Sequence, residues 1–223
     1  MRDTPGSAEP RLRNNSSNEW RSRGYLPHCD RFGLLQSITF RLADSLPQQK
    51  LQELDEELEK MERNAEGKNA ELGLRVPREV EKRKQIEKWL DAGMGCCALG
   101  QPQMAAVMQG TLLKFDMEKY HLLAWCIMPN HLHVLIEPRL PLSSIVRSWK
   151  SYTGRWAMKN HAELGLRVPR GTRFWMPDYW DRYIRDEKHL RSVIYYIHNN
   201  PVKAGLCQKA IDWQWSSAYN ENK

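Results

Sequence analysis

The chain has 223 residues, 34 Lys and Arg against 27 Asp and Glu, and a formal charge of +7; that length can bury one sizeable core, and the charge points to a polyanionic partner. Its five cysteines, Cys29, Cys96, Cys97, Cys126 and Cys207, are odd in number and hold no Cys-x-x-Cys pair, which argues against a disulfide framework and a zinc knuckle. The opening residues lack an apolar leader and no later run is long enough to span a bilayer, so a reduced, cytoplasmic location and no membrane partner are expected.

Residues 1 to about 24 are polar and read as a flexible basic arm, leaving 25–220 as a single domain. "LLQSITFRLADS" has a strand-like centre, with Ile38 and Phe40 on one side and Thr39 and Arg41 on the other. "LPQQKLQELDEELEKMERN" reads as a helix with Leu51, Leu54, Leu58 and Met61 as its narrow stripe, and "REVEKRKQIEKWLDAG" as a second, stopping at Gly93. This pair, about 46–93, looks like a helical excursion after the first strand. A short helix follows around "QPQMAAVMQGTLLKF". "YHLLAWCI" and "HLHVLIEP" then read as antiparallel strands joined at Met128-Pro129-Asn130. "SSIVRSWKSYTGRWAMKN" is predicted helical with Ser143 or Ser144 as cap, and "DEKHLRSVIYYIHNNP" helical up to Pro201. Strands separated by helices, with an antiparallel pair among them, predict an α+β fold with helices on one face of the sheet. The string "AELGLRVPR" occurs twice, at Ala70–Arg78 and Ala162–Arg170, between unrelated neighbours. An insertion copied into two permissive loops explains it better than a structural repeat.

Within "HLHVLI", His131 and His133 share one strand face with Leu135 and Glu137, while Leu132, Val134 and Ile136 point the other way. Two imidazoles on a rigid strand are half of a metal site or two solvated histidines; spacing does not decide. On the last helix Leu190, Val193, Ile194 and Ile197 form the apolar stripe. Tyr196 and Asn200, four residues apart, share its flank, and Tyr195 lies on the other. Nine Trp and eight Tyr among the basic residues fit stacking faces beside phosphate partners, or a core.

Five ordered motifs, "WCIMPNHLHVLI", "SWKSYTGRW", "FWMPDYWDRYIRDEKHL", "YIHNNPVKAGL" and "DWQWSSA", resemble the REP-associated tyrosine transposases, one-tyrosine members of the HUH single-strand endonucleases. The resemblance runs from about Arg23 to Ala218. It implies a ferredoxin-like antiparallel sheet, Tyr196 as nucleophile, and His131, His133 and Asn200 as ligands of Mg²⁺ or Mn²⁺. It also implies cleavage and strand transfer of single-stranded DNA at REP-type hairpins through a 5′-phosphotyrosine, by a monomer or homodimer. For strand contacts the choice falls on Trp149, Lys150, Trp175, Tyr179, Trp180, Arg182 and Arg185. The competing expectations are a metal-dependent nuclease that uses water, and a hairpin-binding protein that does not cut.

Overall fold

The computed structural model describes residues 20–22, 27–29, 33–66, 78–163, 165 and 173–220. The arm expected for residues 1–24 falls outside them except for Trp20–Ser22. Those three residues form β1, which pairs antiparallel with β2 (Pro27–Cys29). Most of both "AELGLRVPR" copies also lies outside the described residues.

The main sheet contains β3 (Gln36–Arg41), β4 (Tyr120–Ile127), β5 (His131–Pro138) and β6 (Trp180–Tyr183), in the order β4-β5-β3-β6 with every pairing antiparallel. Counted along the chain, that is second, third, first, fourth, the ferredoxin-like order expected. A tight turn closes the β4–β5 hairpin, where the Met128 amide donates to the His131 carbonyl over 2.9 Å.

The pleat gives the sheet two different faces. Ile38, Phe40, Leu132, Val134 and Ile136 point to one side, where α3 (Pro102–Lys114) and α4 (Leu142–Asn160) cover them in the larger core. Ala124, Cys126 and Leu135 point to the other side and pack against α5 (Glu187–Lys203) with Ile184 and Ile197. The expectation of helices on one face holds for α3 and α4 but not for α5. The histidine face also carries apolar side chains, and α5 brings the stripe that buries them.

Helices α1 (Gln48–Glu66) and α2 (Arg78–Asp91) form the excursion between β3 and α3. Leu54 and Leu58 meet Ile86 and Leu90 in a small cluster with Leu46, whereas Met61 is exposed. Their charged faces form ion pairs such as Lys82–Asp55 at 2.6 Å and Arg83–Glu87 at 2.9 Å.

Two helix ends differ from expectation. Neither serine caps α4: Pro141 occupies the N-cap, and Ser144 Oγ donates to its carbonyl over 2.8 Å. Helix α5 does not stop at Pro201 but runs to Lys203. A proline this near the end removes only the amide that would have bonded Ile197. Gly205 then adopts φ 72°, and the amides of Gly205 and Leu206 donate to Val202 and Pro201 carbonyls, a Schellman closure. Asn200 therefore keeps helical geometry and points into the protein. Among the described residues, no helix is long and apolar enough to cross a membrane.

Candidate functional site

Strand β5 presents His131 and His133 to the α5 side, 1% and 2% exposed. They are not solvated surface residues. Their Nε2 atoms stand 3.1 Å apart, and the rings meet nearly perpendicular. Burial pushes the imidazole of His131 down to about 3, with the charge of Lys203 adding to the effect. His133 is also held well below the ordinary value by burial, then by the charges of His131, Arg83 and Lys203. Both rings are neutral at physiological pH, the state in which imidazole binds a cation.

The opposite ring nitrogens are held from behind. The Asn130 amide nitrogen donates to the carbonyls of Leu90 (3.1 Å) and Met94 (2.9 Å), so its Oδ1 must be the atom 2.7 Å from His131 Nδ1. An amide oxygen only accepts, which puts the proton of His131 on Nδ1 and leaves Nε2 with a lone pair. Thr39, the cross-strand partner of His133, places its hydroxyl 2.9 Å from His133 Nδ1. A hydroxyl both donates and accepts, so Thr39 serves either tautomer of His133.

Helix α5 completes the group. The ring of Tyr196 lies 5.2 Å from that of His133, edge to face, and Asn200 is 1% exposed. The Asn200 amide nitrogen donates to the Tyr196 carbonyl over 2.8 Å, while its Oδ1 is buried and accepts no hydrogen bond. The same amide still lies close enough to bear on both the His133 ring and the Tyr196 hydroxyl. Burial raises the phenol of Tyr196 above its ordinary value, and the charges of Glu87 and Asp91 on α2 push the same way. Tyr195 is 70% exposed and faces away.

An orphaned buried oxygen beside the inward lone pair of His131 and the facing Nε2 of His133 is what a divalent cation would satisfy, with His133 in the Nδ1-protonated tautomer that Thr39 also serves. About 3 Å is also the separation of neighbouring ligands held near 2.1 Å in an octahedron. The donor set of His131, His133 and Asn200 therefore fits Mg²⁺ or Mn²⁺. Among the described residues no group of three or more His, Cys, Asp or Glu could hold a metal, so an amide oxygen is the third donor that the described residues offer.

Of the proposed DNA-contacting cluster, Lys150, Trp175 and Tyr179 line one cleft beside α4, whereas the other four residues do not. Trp149 is buried in the α4 core, its indole N–H donating to Tyr120 Oη over 3.0 Å. Trp175 and Tyr179 are likewise core, and the Trp175 indole N–H donates to Thr153 Oγ1 over 2.9 Å. Trp149 has no face open to a base, while Trp175 and Tyr179 show only an edge to the cleft beside α4. Lys150 Nζ donates to the carbonyls of Met176, Pro177 and Asp178, and burial lowers its ammonium to about 7 despite the opposing charge of Asp178. It ties the 176–178 segment to α4. Trp180 is half-buried, with the Arg41 guanidinium 6.0 Å from its ring centroid. Only Arg182 and Arg185 of the seven are exposed.

Thr39, Asn130, Glu87 and Asp91 were missed in the sequence. A signal existed for Thr39, which the strand pattern put on the face opposite Ile38 and Phe40. None existed for the α2 carboxylates, which come from more than a hundred residues before Tyr196.

Residues 101–200 match the family model described as transposase IS200 like. A Haemophilus influenzae protein assigned to the REP-associated tyrosine transposases is 29% identical over 109 residues, covering 47% of this chain and 62% of its own length. The REP-associated tyrosine transposase of Escherichia coli is 30% identical over 102 residues, 44% of this chain and 54% of its own. The chain thus spans somewhat over half the length of these curated relatives. A solved REP-associated tyrosine transposase bound to a REP hairpin aligns with TM-score 0.49 and 19% identity, over 86% of this chain and 81% of that one. The matched stretch, a little under half of the chain, includes both histidines, Tyr196 and Asn200.

Proposed function

We propose that this chain cuts and rejoins single-stranded DNA at REP-type hairpins, with Tyr196 as nucleophile and a divalent cation, Mg²⁺ or Mn²⁺, held by His131, His133 and Asn200. The observation that carries this is the convergence on one spot of two imidazole Nε2 atoms 3.1 Å apart, the unpartnered Asn200 Oδ1 and the Tyr196 ring. When bound, the cation would polarise the scissile phosphate and stabilise the charge that builds on it.

The chain's own residues do the rest. Tyr196 Oη forms a bond to phosphorus as the 3′-oxygen leaves, giving a 5′-phosphotyrosine and a free 3′-hydroxyl, and the reverse attack reseals the strand. Because burial and the α2 carboxylates hold the phenol proton in place, the hydroxyl has to lose it as it attacks. Asn130 and Thr39 keep both imidazoles turned inward, so that no ring reorganises when substrate arrives.

Incubating the protein with single-stranded hairpin DNA and Mn²⁺, followed by denaturing electrophoresis, tests the reading. A covalent adduct is expected from wild type and none from Tyr196→Phe. Cleavage by Tyr196→Phe would instead favour a nuclease that uses water. The near-complete burial of both histidines favours one second reading, a hairpin-binding protein that does not cut; binding without any adduct or nick would support it.

A further inference from the structure

Two polar stripes meet beside the catalytic group. On α5, Tyr196, Asn200 and Lys203 follow one another at i, i+4 and i+7 and share one side of the helix. On α2, Arg83, Glu87 and Asp91 do the same at i, i+4 and i+8. The ends of the stripes join, with Lys203 Nζ 2.7 Å from Asp91 Oδ2. Farther along α2, Arg83 Nε lies 2.9 Å from Glu87 Oε1. Asp91 directly follows Leu90, whose carbonyl holds the Asn130 amide against His131. The Lys203–Asp91 pair therefore stands at the rim of the group formed by His131, His133, Tyr196 and Asn200.

The pair is not backed by an apolar contact between the two helices. The apolar side chains of α2 pack with α1, and those of α5 pack with the sheet; among the described residues no apolar cluster contains both helices. Arg83 and Lys203 are the basic side chains whose charge reaches the His133 ring, and an α2 carboxylate neutralises each of them. In a site for a polyanion that arrangement needs a reason, since a carboxylate repels an incoming phosphate and occupies the cation that would receive it. The two partners also differ in access: the Lys203 side chain is 54% exposed and that of Asp91 only 12%. An ammonium is a compact charge on a flexible stem, able to pass from carboxylate to phosphate without the fixed approach that a guanidinium requires.

We propose that Lys203 is a phosphate-positioning residue for the strand that Tyr196 attacks, and that Asp91 occupies it until the strand arrives. On strand entry the ammonium exchanges the carboxylate for a phosphate beside the scissile bond, and the tie between α2 and α5 opens. The idea rests on the catalytic reading above and adds to it a binding residue and an internal competitor.

The test follows binding of a fluorescein-labelled single strand in EDTA across a salt series, and the rate of adduct formation with Mn²⁺, in wild type and variants. Lys203→Ala should bind about fivefold more weakly, with a salt slope shallower by about 0.7, the value for one phosphate of a single strand. Its adduct should form about tenfold more slowly, and Lys203→Arg, which keeps the charge, should recover most of both losses. Asp91→Asn should bind about threefold more tightly, and most of that gain should vanish when Lys203→Ala is added, because the competitor then has nothing to release. Wild-type binding and adduct rate in Lys203→Ala would overturn this proposal and leave the catalytic reading standing. A gain in Asp91→Asn that survives in full without Lys203 would mean simple repulsion and would overturn the exchange. Absence of any adduct from wild type would overturn the catalytic reading and this proposal with it. Should Lys203→Ala melt early, Asp91→Asn must still bind the strand more tightly, or the proposal fails.

Discussion

Asn130 joins the end of α2 to His131: one amide group donates to the carbonyls of Leu90 and Met94 and accepts the imidazole proton at 2.7 Å. Replacing Asn130 with Asp keeps an acceptor for His131 but loses the donor that fixes its direction. Mn²⁺ affinity measured by calorimetry should fall by about 10- to 100-fold, the usual effect of removing a group that orients a ligand. Asn130→Ala should in addition lower stability by about 1–3 kcal/mol, through the carbonyls it strands. Unchanged Mn²⁺ affinity in Asn130→Asp would show that His131 needs no such support.

The buried histidines also make a pH prediction for the metal-free protein. His131 folds with its pKa lowered to about 3 from an ordinary 6.5, so between these values the unfolded chain binds more protons than the folded one. Stability is therefore fully present above about pH 6.5 and is lost as pH falls towards 3. Melting temperature should drop on going from pH 7 to pH 4.5, and drop less in His131→Gln. An equal fall in both would assign the acid sensitivity elsewhere.

Trp149 packs at ring-centroid distances of 5.1 Å from Tyr120 and 6.1 Å from Phe40. Trp149→Ala should cost about 3–5 kcal/mol of stability. Measured by denaturant unfolding, a cost under 1 kcal/mol would mean that this side chain does not hold the α4 layer.

Deleting residues 70–77, which removes most of the first "AELGLRVPR", leaves three residues between Glu66 and Arg78, within the 2–5 that join antiparallel helices. Keeping Arg78 preserves its bonds to Asp55 and Glu59. Melting temperature should shift by no more than a few degrees and adduct yield should hold. A collapse of either would make the segment packed structure instead of an insertion.

Residues whose partners lie a turn or a strand step away were legible in the sequence. Alternation put His131 and His133 on one face, and helical spacing put Tyr196 beside Asn200. What the two pairs share is long-range: α5 covers the histidine face of the sheet, and neither period contains that. Composition misled at the aromatics. Trp149 reads as a stacking residue among Arg and Lys, yet it lies on the stripe of Leu142, Ile145, Val146, Thr153 and Ala157, and that periodicity outweighs its charged neighbours. Trp175 and Tyr179 gave no such warning, because they lie in an irregular segment whose burial depends on α4.

The excursion touches Asn130 only through main-chain oxygens, which every amino acid carries. Substitutions that preserve the backbone of α2 leave that contact intact, so apart from Arg83, Glu87 and Asp91, whose charges bear on His133 or Tyr196, its side chains are free to diverge as far as the small Leu54–Leu90 cluster allows. Adding or removing one residue within α2 before Leu90 is different, since it turns the Leu90 carbonyl by about 100° about the helix axis. Length, more than identity, is what natural variation in this helix must conserve.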